Sequence, residues 1–156
     1  MLTVDDLLSK DQTGKEMYRI INNYSADLND VFVKRNGKLI PLSNLSILEM
    51  FDVVRKIPYR RDIHNIEVVA RPIKILASSP AGMDCKKKSI LMSSFCKENK
   101  IPFRLIASSR RPDKKVHHVF PQGLLGGMYR NLDATYSHYK PFEDKQVTAA
   151  EVLSYE

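Results

Sequence analysis

Residues 78 to 102 constrain this chain more than any other stretch. Ser78-Ser79-Pro80-Ala81-Gly82 is a run of small residues and proline that lets the backbone approach a neighbour closely. It leads directly into the strongest helical pattern of the sequence. From Asp84 to Asn99, at about 100° per residue, Cys85, Met92 and Cys96 fall within about 40° of one another, with Leu91 and Phe95 flanking them. Lys87, Ser94, Lys97 and Glu98 take the other side, and Lys100 and Pro102 close the element. The pattern predicts a central helix with an apolar face on a core and a cysteine in its first turn.

Three strand-like runs follow: Phe103–Ala107, Val116–Phe120 and Met128–Leu132. The basic loop Ser108–Lys115 joins the first two, and the Gly-rich loop Gln122–Gly127 joins the last two. Upstream, Leu2 to Leu8 and Lys15 to Tyr24 read as helical, and Asn36-Gly37 as a turn between Val31–Lys34 and Lys38–Ile40. Apolar residues at Ile47, Leu48, Phe51, Val54 and Ile57 predict a helix capped by Ser43 or Asn44 and terminated by Pro58. Helices, then a central helix, then consecutive strands argue for an α+β fold with an antiparallel sheet against the central helix.

The 156 residues, 43% of them hydrophobic and 28% charged, suit one compact domain with one core. Within it, residues 1–42 read as an N-terminal extension, 43–136 as the core and 137–156 as a C-terminal segment. Met1 to Gln12 carries three aspartates and no long apolar run, unlike a signal peptide, and no stretch approaches the roughly 20 apolar residues of a bilayer span. The expected location is cytoplasmic. Cys85 and Cys96, on one helix, stand about 16 Å apart, beyond disulfide reach, and both are expected to be free thiols.

A cysteine in the first turn of a buried helix is chemically distinctive, because the unpaired N–H groups and the helix dipole favour thiolate over thiol. A thiolate nucleophile also needs an imidazole to hold and return the proton, and a polar group to orient that imidazole. His117 or His118 in the second strand, and Asp133 after the third, can supply them. Each has an ordinary structural alternative: a cysteine on an apolar helical face is commonly core packing, and Cys96 is read that way.

Several phrases together resemble the core of the transglutaminase-like superfamily. These are Gly82-Met83-Asp84-Cys85 opening the helix, Asn99-Lys100-Ile101-Pro102-Phe103-Arg104 leading into a strand, His118-Val119-Phe120, and Tyr129-Arg130-Asn131-Leu132-Asp133-Ala134-Thr135. Upstream, Pro58-Tyr59-Arg60-Arg61-Asp62 is similar to a Tyr-x-x-Asp phrase found before the cysteine. The resemblance implies a papain-like thiol site without cofactor or metal: Cys85 as nucleophile, His118 as base and then acid, Asp133 as orienter. It selects His118 over His117. It also implies thiol-dependent acyl transfer on peptide or protein amides, by a cysteine protease or a transglutaminase-type acyltransferase. With its Leu-Asp-Ala-Thr phrase the chain resembles small stand-alone members encoded by bacteria and bacteriophages, which implies a peptidase or a virion-maturation role, in the host cytoplasm or virion.

One departure from that family is the run Lys86, Lys87, Lys88 at the positive end of the helix, which is locally unfavourable. These lysines are expected to depress the Cys85 pKa further or to contact an anionic partner. With 25 Lys plus Arg against 18 Asp plus Glu the net charge is +7, and Arg110, Arg111, Lys114 and Lys115 add a second basic cluster. The competing reading is therefore a catalytically silent structural module that binds nucleic acid or another anion on the same fold. A zinc site from Cys85, Cys96, His117 and His118 is disfavoured, because the cysteine spacing is not that of a metal knuckle and adjacent strand histidines diverge. No carboxylate cluster of EF-hand type suggests calcium.

Overall fold

The structure is a computed structural model that describes residues 10–61 and 69–153. The helix expected over Leu2–Leu8, and Asp62 of the upstream phrase, lie outside those residues. Helix α1 (Lys10–Tyr24) buries Met17, Tyr18, Ile20 and Ile21. The Tyr18 hydroxyl accepts the Leu105 N–H at 2.9 Å and donates to the Leu153 carbonyl at 3.3 Å, tying this helix to the sheet. A 3-10 turn, Ser25–Asp30, then leads into hairpin strands β1 (Phe32–Arg35) and β2 (Lys38–Pro41). As Asn-Gly predicts, Asn36 and Gly37 both take positive φ, 51° and 78°, in a two-residue turn.

Helix α2 (Ile47–Lys56) is capped by Ser46, not by Ser43 or Asn44. Ser46 and Glu49 form a reciprocal capping box that satisfies two otherwise unpaired N–H groups, whereas Ser43 and Asn44 belong to a short 3-10 turn, Leu42–Asn44. Helix α3 (Pro72–Ala77) starts at Pro72, held by buried Asp27, which accepts from Arg71 Nε at 2.9 Å and from the Ile73 N–H at 3.1 Å.

Helix α4 (Cys85–Glu98) is the centre of the molecule. It is capped by Asp84, whose side chain accepts the Lys87 N–H at 3.0 Å. The apolar face is as predicted, but the polar side is not one solvated stripe: Ser94 is 0% exposed and Lys88 1%. With the sheet on one face and α1, α2 and the Ser25–Asp30 turn around the rest, little of the helix meets water. Lys97 remains partly exposed and donates to the Asn22 carbonyl at 2.7 Å, and Glu98 accepts from Ser25 Oγ at 2.7 Å.

The sheet runs β5-β4-β3-β6, antiparallel throughout, from β3 (Phe103–Ser109), β4 (His118–Leu125), β5 (Met128–Asn131) and β6 (Ala149–Val152). Strand β4 starts two residues later than expected and runs further, absorbing Gln122 to Leu125, so the connection to β5 shrinks to Gly126-Gly127, at φ 62° and 83°. Gly123 pairs with Phe103 and Arg130 in the sheet, and it is a glycine because its neighbours leave little room: a Cβ there would stand 3.0 Å from Leu132 Cδ1 and 3.5 Å from Cys96 Sγ. Edge strand β6 lies in the C-terminal segment, where no strand is expected from the residue pattern. The fold is α+β, with the cysteine-bearing helix packed on an antiparallel sheet. Among the described residues, no helix is long and apolar enough to cross a membrane.

Candidate active site

Three chain segments converge on the first turn of α4. The small-residue loop does bring the backbone close to a neighbour, and that neighbour is the chain's own Pro58–Arg60. Met83 N–H donates to the Pro58 carbonyl at 2.9 Å and Arg60 N–H to the Met83 carbonyl at 3.0 Å, a parallel bridge that fixes the approach to Cys85. It also carries Tyr59 to the site. Burial, followed by the charge of Cys85 and the contact with Tyr136, pushes the Tyr59 phenol up to about 12.

Strand β4 opens with His118. Its Nε2 lies 2.7 Å from Asp133 Oδ2, and its side chain lines one cavity with Cys85 at the start of α4. With Nε2 committed to the carboxylate, Nδ1 is the nitrogen left for the thiol. The three predicted site residues are thus brought together: Cys85 is 9% exposed, and the side chains of His118 and Asp133 are 16% and 2% exposed. Burial alone would lower the His118 pKa, but interaction with the Asp133 carboxylate, which accepts from the ring, and with Cys85 overcomes it and holds the imidazole up at about 9. Burial would likewise raise Asp133; its hydrogen bond and ion pair with His118, helped by Lys145 and Thr135, bring it down to about 2. The second carboxylate oxygen, Oδ1, accepts the N–H and the hydroxyl of Thr135.

His117, left open by the residue pattern, points elsewhere. It is exposed, its Nε2 accepts the Arg110 N–H at 2.9 Å, and burial together with the charges of Arg111, His118 and Arg110 lowers its pKa. Cys96, eleven residues along α4, is 0% exposed, and burial pushes its thiol up to about 12, as befits core packing. Both thiols are free.

The lysine run divides. Lys86 stands 3.5 Å from Asp84 Oδ2. Lys88, expected to face an anionic partner, is instead buried, its Nζ donating to the Ile57 carbonyl at 2.5 Å and the Thr135 carbonyl at 2.7 Å. It lies on the side of α4 facing α2 and the Asp133 loop, so it cannot form part of a basic surface. Burial lowers its pKa to about 8 against the opposing pull of Asp133.

A cavity of about 100 Å³ opens beside the thiol, lined by the polar groups of Cys85, Lys86, His117 and His118 together with apolar residues that include Met17 and Leu153. The N-terminal helix therefore forms a wall of the site. Lys145 was missed by the sequence reading: its ammonium sits 3.0 Å from Asp133 Oδ2 and 3.6 Å from the centre of the Tyr139 ring, with 7% of the side chain exposed. Nothing in the local pattern of the C-terminal segment marks it. Among the described residues, no group of three or more His, Cys, Asp or Glu side chains could hold a metal ion.

No protein-family model matches the chain, and no curated protein sequence matches it. Among solved structures it is similar to one described as a "Putative Cysteine Protease from Cytophaga hutchinsonii", at 12% identity and a TM-score of 0.47. The match covers 97% of this chain and 57% of that one, so the chain spans little more than half of that protein's length. So slight a likeness has no bearing on the chemistry, which stands on the site itself.

Proposed function

We propose that the protein performs thiol-dependent acyl transfer on peptide or protein amides, in a papain-like or transglutaminase-like core, with Cys85 as nucleophile, His118 as base and then acid, and Asp133 as orienter. The observation that carries this reading is His118, bonded to the Asp133 carboxylate at 2.7 Å and lining one cavity with a cysteine that opens a buried helix. In the first step the Cys85 sulfur bonds to the amide carbonyl carbon, and its proton resides on His118. The C–N bond then breaks as His118 gives that proton to the departing amine, leaving a thioester. Water resolves the thioester as hydrolysis, or a second amine resolves it as cross-linking. The Cys85 N–H, in the helical turn that has no internal acceptor, is the natural donor to the developing oxyanion.

The test is the pH dependence of iodoacetamide alkylation of each cysteine, read by mass spectrometry on the native protein and on His118→Ala. Labelling of Cys85 that is fast below pH 7 and depends on His118 supports an activated pair and justifies a screen of peptide amides with and without added amines. Slow labelling of Cys85 in both proteins would overturn the reading in favour of the silent module, whose exposed basic residues Arg110, Arg111, Lys114 and Lys115 would then be tested for salt-dependent anion binding.

A further inference from the structure

The geometry points to Lys145 as a positioning residue that sets the pH range of the Cys85–His118 pair by balancing the charge of Asp133. This rests on the reading of Cys85, His118 and Asp133 as a thiol site. Asp133 Oδ2 is shared by two cationic donors, His118 Nε2 at 2.7 Å and Lys145 Nζ at 3.0 Å. Oδ1 takes two donors from Thr135, so all four acceptor positions of a carboxylate are filled. The ammonium is not a surface charge that happens to lie near. It sits over the Tyr139 ring and 6.0 Å from the centre of the Phe120 ring, whose neighbour on the same strand face is His118 at 5.8 Å. An aromatic seat of this kind fixes a cation without neutralising it.

Charge counting says what the seat is for. With the Cys85 proton transferred to His118, the four side chains carry Cys85⁻, His118⁺, Asp133⁻ and Lys145⁺, which sum to zero in a region nearly closed to water. Without Lys145 the same state has a net negative charge, and burying an unbalanced charge is costly. The other groups facing this cluster do not substitute for it. Lys88, on α4, attracts Asp133 but directs its bonds to two carbonyls; Tyr139 is neutral in the physiological range; Lys86 lies 3.5 Å from Asp84; exposed Arg110 reaches the Tyr139 hydroxyl at 3.4 Å rather than the carboxylate, and its backbone N–H donates to His117 Nε2.

A fixed positive charge lowers the proton affinity of every group around it. Removing it therefore raises both the thiol and the imidazole together. That signature separates an electrostatic role from a merely structural one. Loosening the site would uncouple Cys85 from His118 and collapse the two limbs of its pH–rate profile toward a single ordinary thiol titration.

The experiment is the pH–rate profile of Cys85 alkylation by iodoacetamide, together with the His118 titration followed by NMR of ¹³C-histidine-labelled protein, in the wild type, Lys145→Met, Lys145→Gln and Lys145→Arg. We expect both limbs, and the His118 midpoint, to move upward by about one pH unit in the Met and Gln variants and to return near the wild-type positions in the Arg variant. An unchanged His118 midpoint in folded Lys145→Met or Lys145→Gln overturns the assignment, as does an equal shift in Lys145→Arg. Collapse of the two limbs into one also overturns it, because that outcome marks a structural role. If instead wild-type Cys85 shows no His118-dependent reactivity, it is the thiol-site reading that fails, and the His118 midpoint still reports on Lys145 separately.

Discussion

Lys88 Nζ donates to the carbonyl oxygen of Thr135 at 2.7 Å, so the turn of helix that follows the nucleophile is bonded directly to the residue that positions Asp133. The same ammonium reaches the Ile57 carbonyl at the end of α2, so three elements meet on one buried cation. Replacing Lys88 by Met keeps the volume but leaves both carbonyls without this donor. The expected loss is about 1–3 kcal/mol of stability, read as a lower urea midpoint at unchanged slope. Slower Cys85 alkylation should accompany it as the Asp133 loop relaxes. An unchanged midpoint would mean that water replaces the ammonium at no cost.

Gly82 is expected to be as sensitive as any core position. Its φ of +87° already disfavours a side chain, and a Cβ would stand 2.8 Å from the Pro58 carbonyl oxygen and 2.9 Å from Arg60 Cβ. The contact is with backbone that bridges Met83, so it cannot be relieved by turning a flexible side chain. Gly82→Ala should destabilise the protein by about 1–3 kcal/mol and displace Tyr59 from the site. The comparison to make is with Gly126→Ala, where φ is also positive, at 62°, but nothing lies within 4 Å; equal effects at the two positions would show that backbone strain alone, and not the bridge, is responsible.

What could be read in the sequence follows a physical division. Cys85 and Asp133 sit at element boundaries with their own local signals, a helix start after small residues and a strand end; His118 does not, because the residue pattern leaves it level with His117 in a strand expected from Val116, and only the resemblance selects it. The Asn36-Gly37 hairpin is legible because its turn chemistry is local. The cap of α2 is equally local, since Ser46-x-x-Glu49 carries its signal, whereas Ser43 and Asn44 are cap-type residues that the chain uses in a 3-10 turn. Gly123 read as loop because its reason for being glycine, the closeness of Cys96 and Leu132, lies elsewhere in the chain. Lys88 and Lys145 are the harder case. A lysine in a basic run and a lysine in a polar tail carry no mark of burial, and only the packed structure shows one bonded to two carbonyls and the other seated on Asp133.

The two cysteines offer a direct contrast. Cys96 is fully buried against the sheet, with its thiol pushed up to about 12, so in native protein it should resist alkylation at pH 7 over times that exhaust Cys85. Cys96→Ala is expected to cost about 1 kcal/mol through the small cavity left, with labelling and any activity retained. Cys85→Ala should abolish both with little loss of stability. Equal loss of activity in the two variants would remove the assignment of Cys85 as nucleophile.

The pairing of His118 with Asp133 should also be visible in stability against pH. The His118 pKa, about 9 in the folded state, lies above its ordinary 6.5, so its contribution is complete below about 6.5 and disappears as pH rises through 9. Asp133, about 2 against an ordinary 3.8, contributes in the opposite sense: fully above about 4, and lost as pH falls through 2. The two shifts report one interaction and are not summed; its size is of order 2 kcal/mol. Lys88 runs against the alkaline loss, because a lysine lowered to about 8 from 10.5 makes the folded state more favourable as pH rises between those values. Asp133→Asn also removes the Lys145 contact and the pull of Asp133 on Lys88, so the change with pH of the difference between its thermal midpoint and that of the wild type, and not the size of that difference, reports the pair. That difference should form a plateau from about pH 4 to 6.5 and narrow on both sides, reaching its minimum near pH 9 to 10. A difference that stays constant from pH 4 to 10 would mean that Asp133 supports the fold without holding a proton on His118, and the orienting role assigned to it would have to be given up.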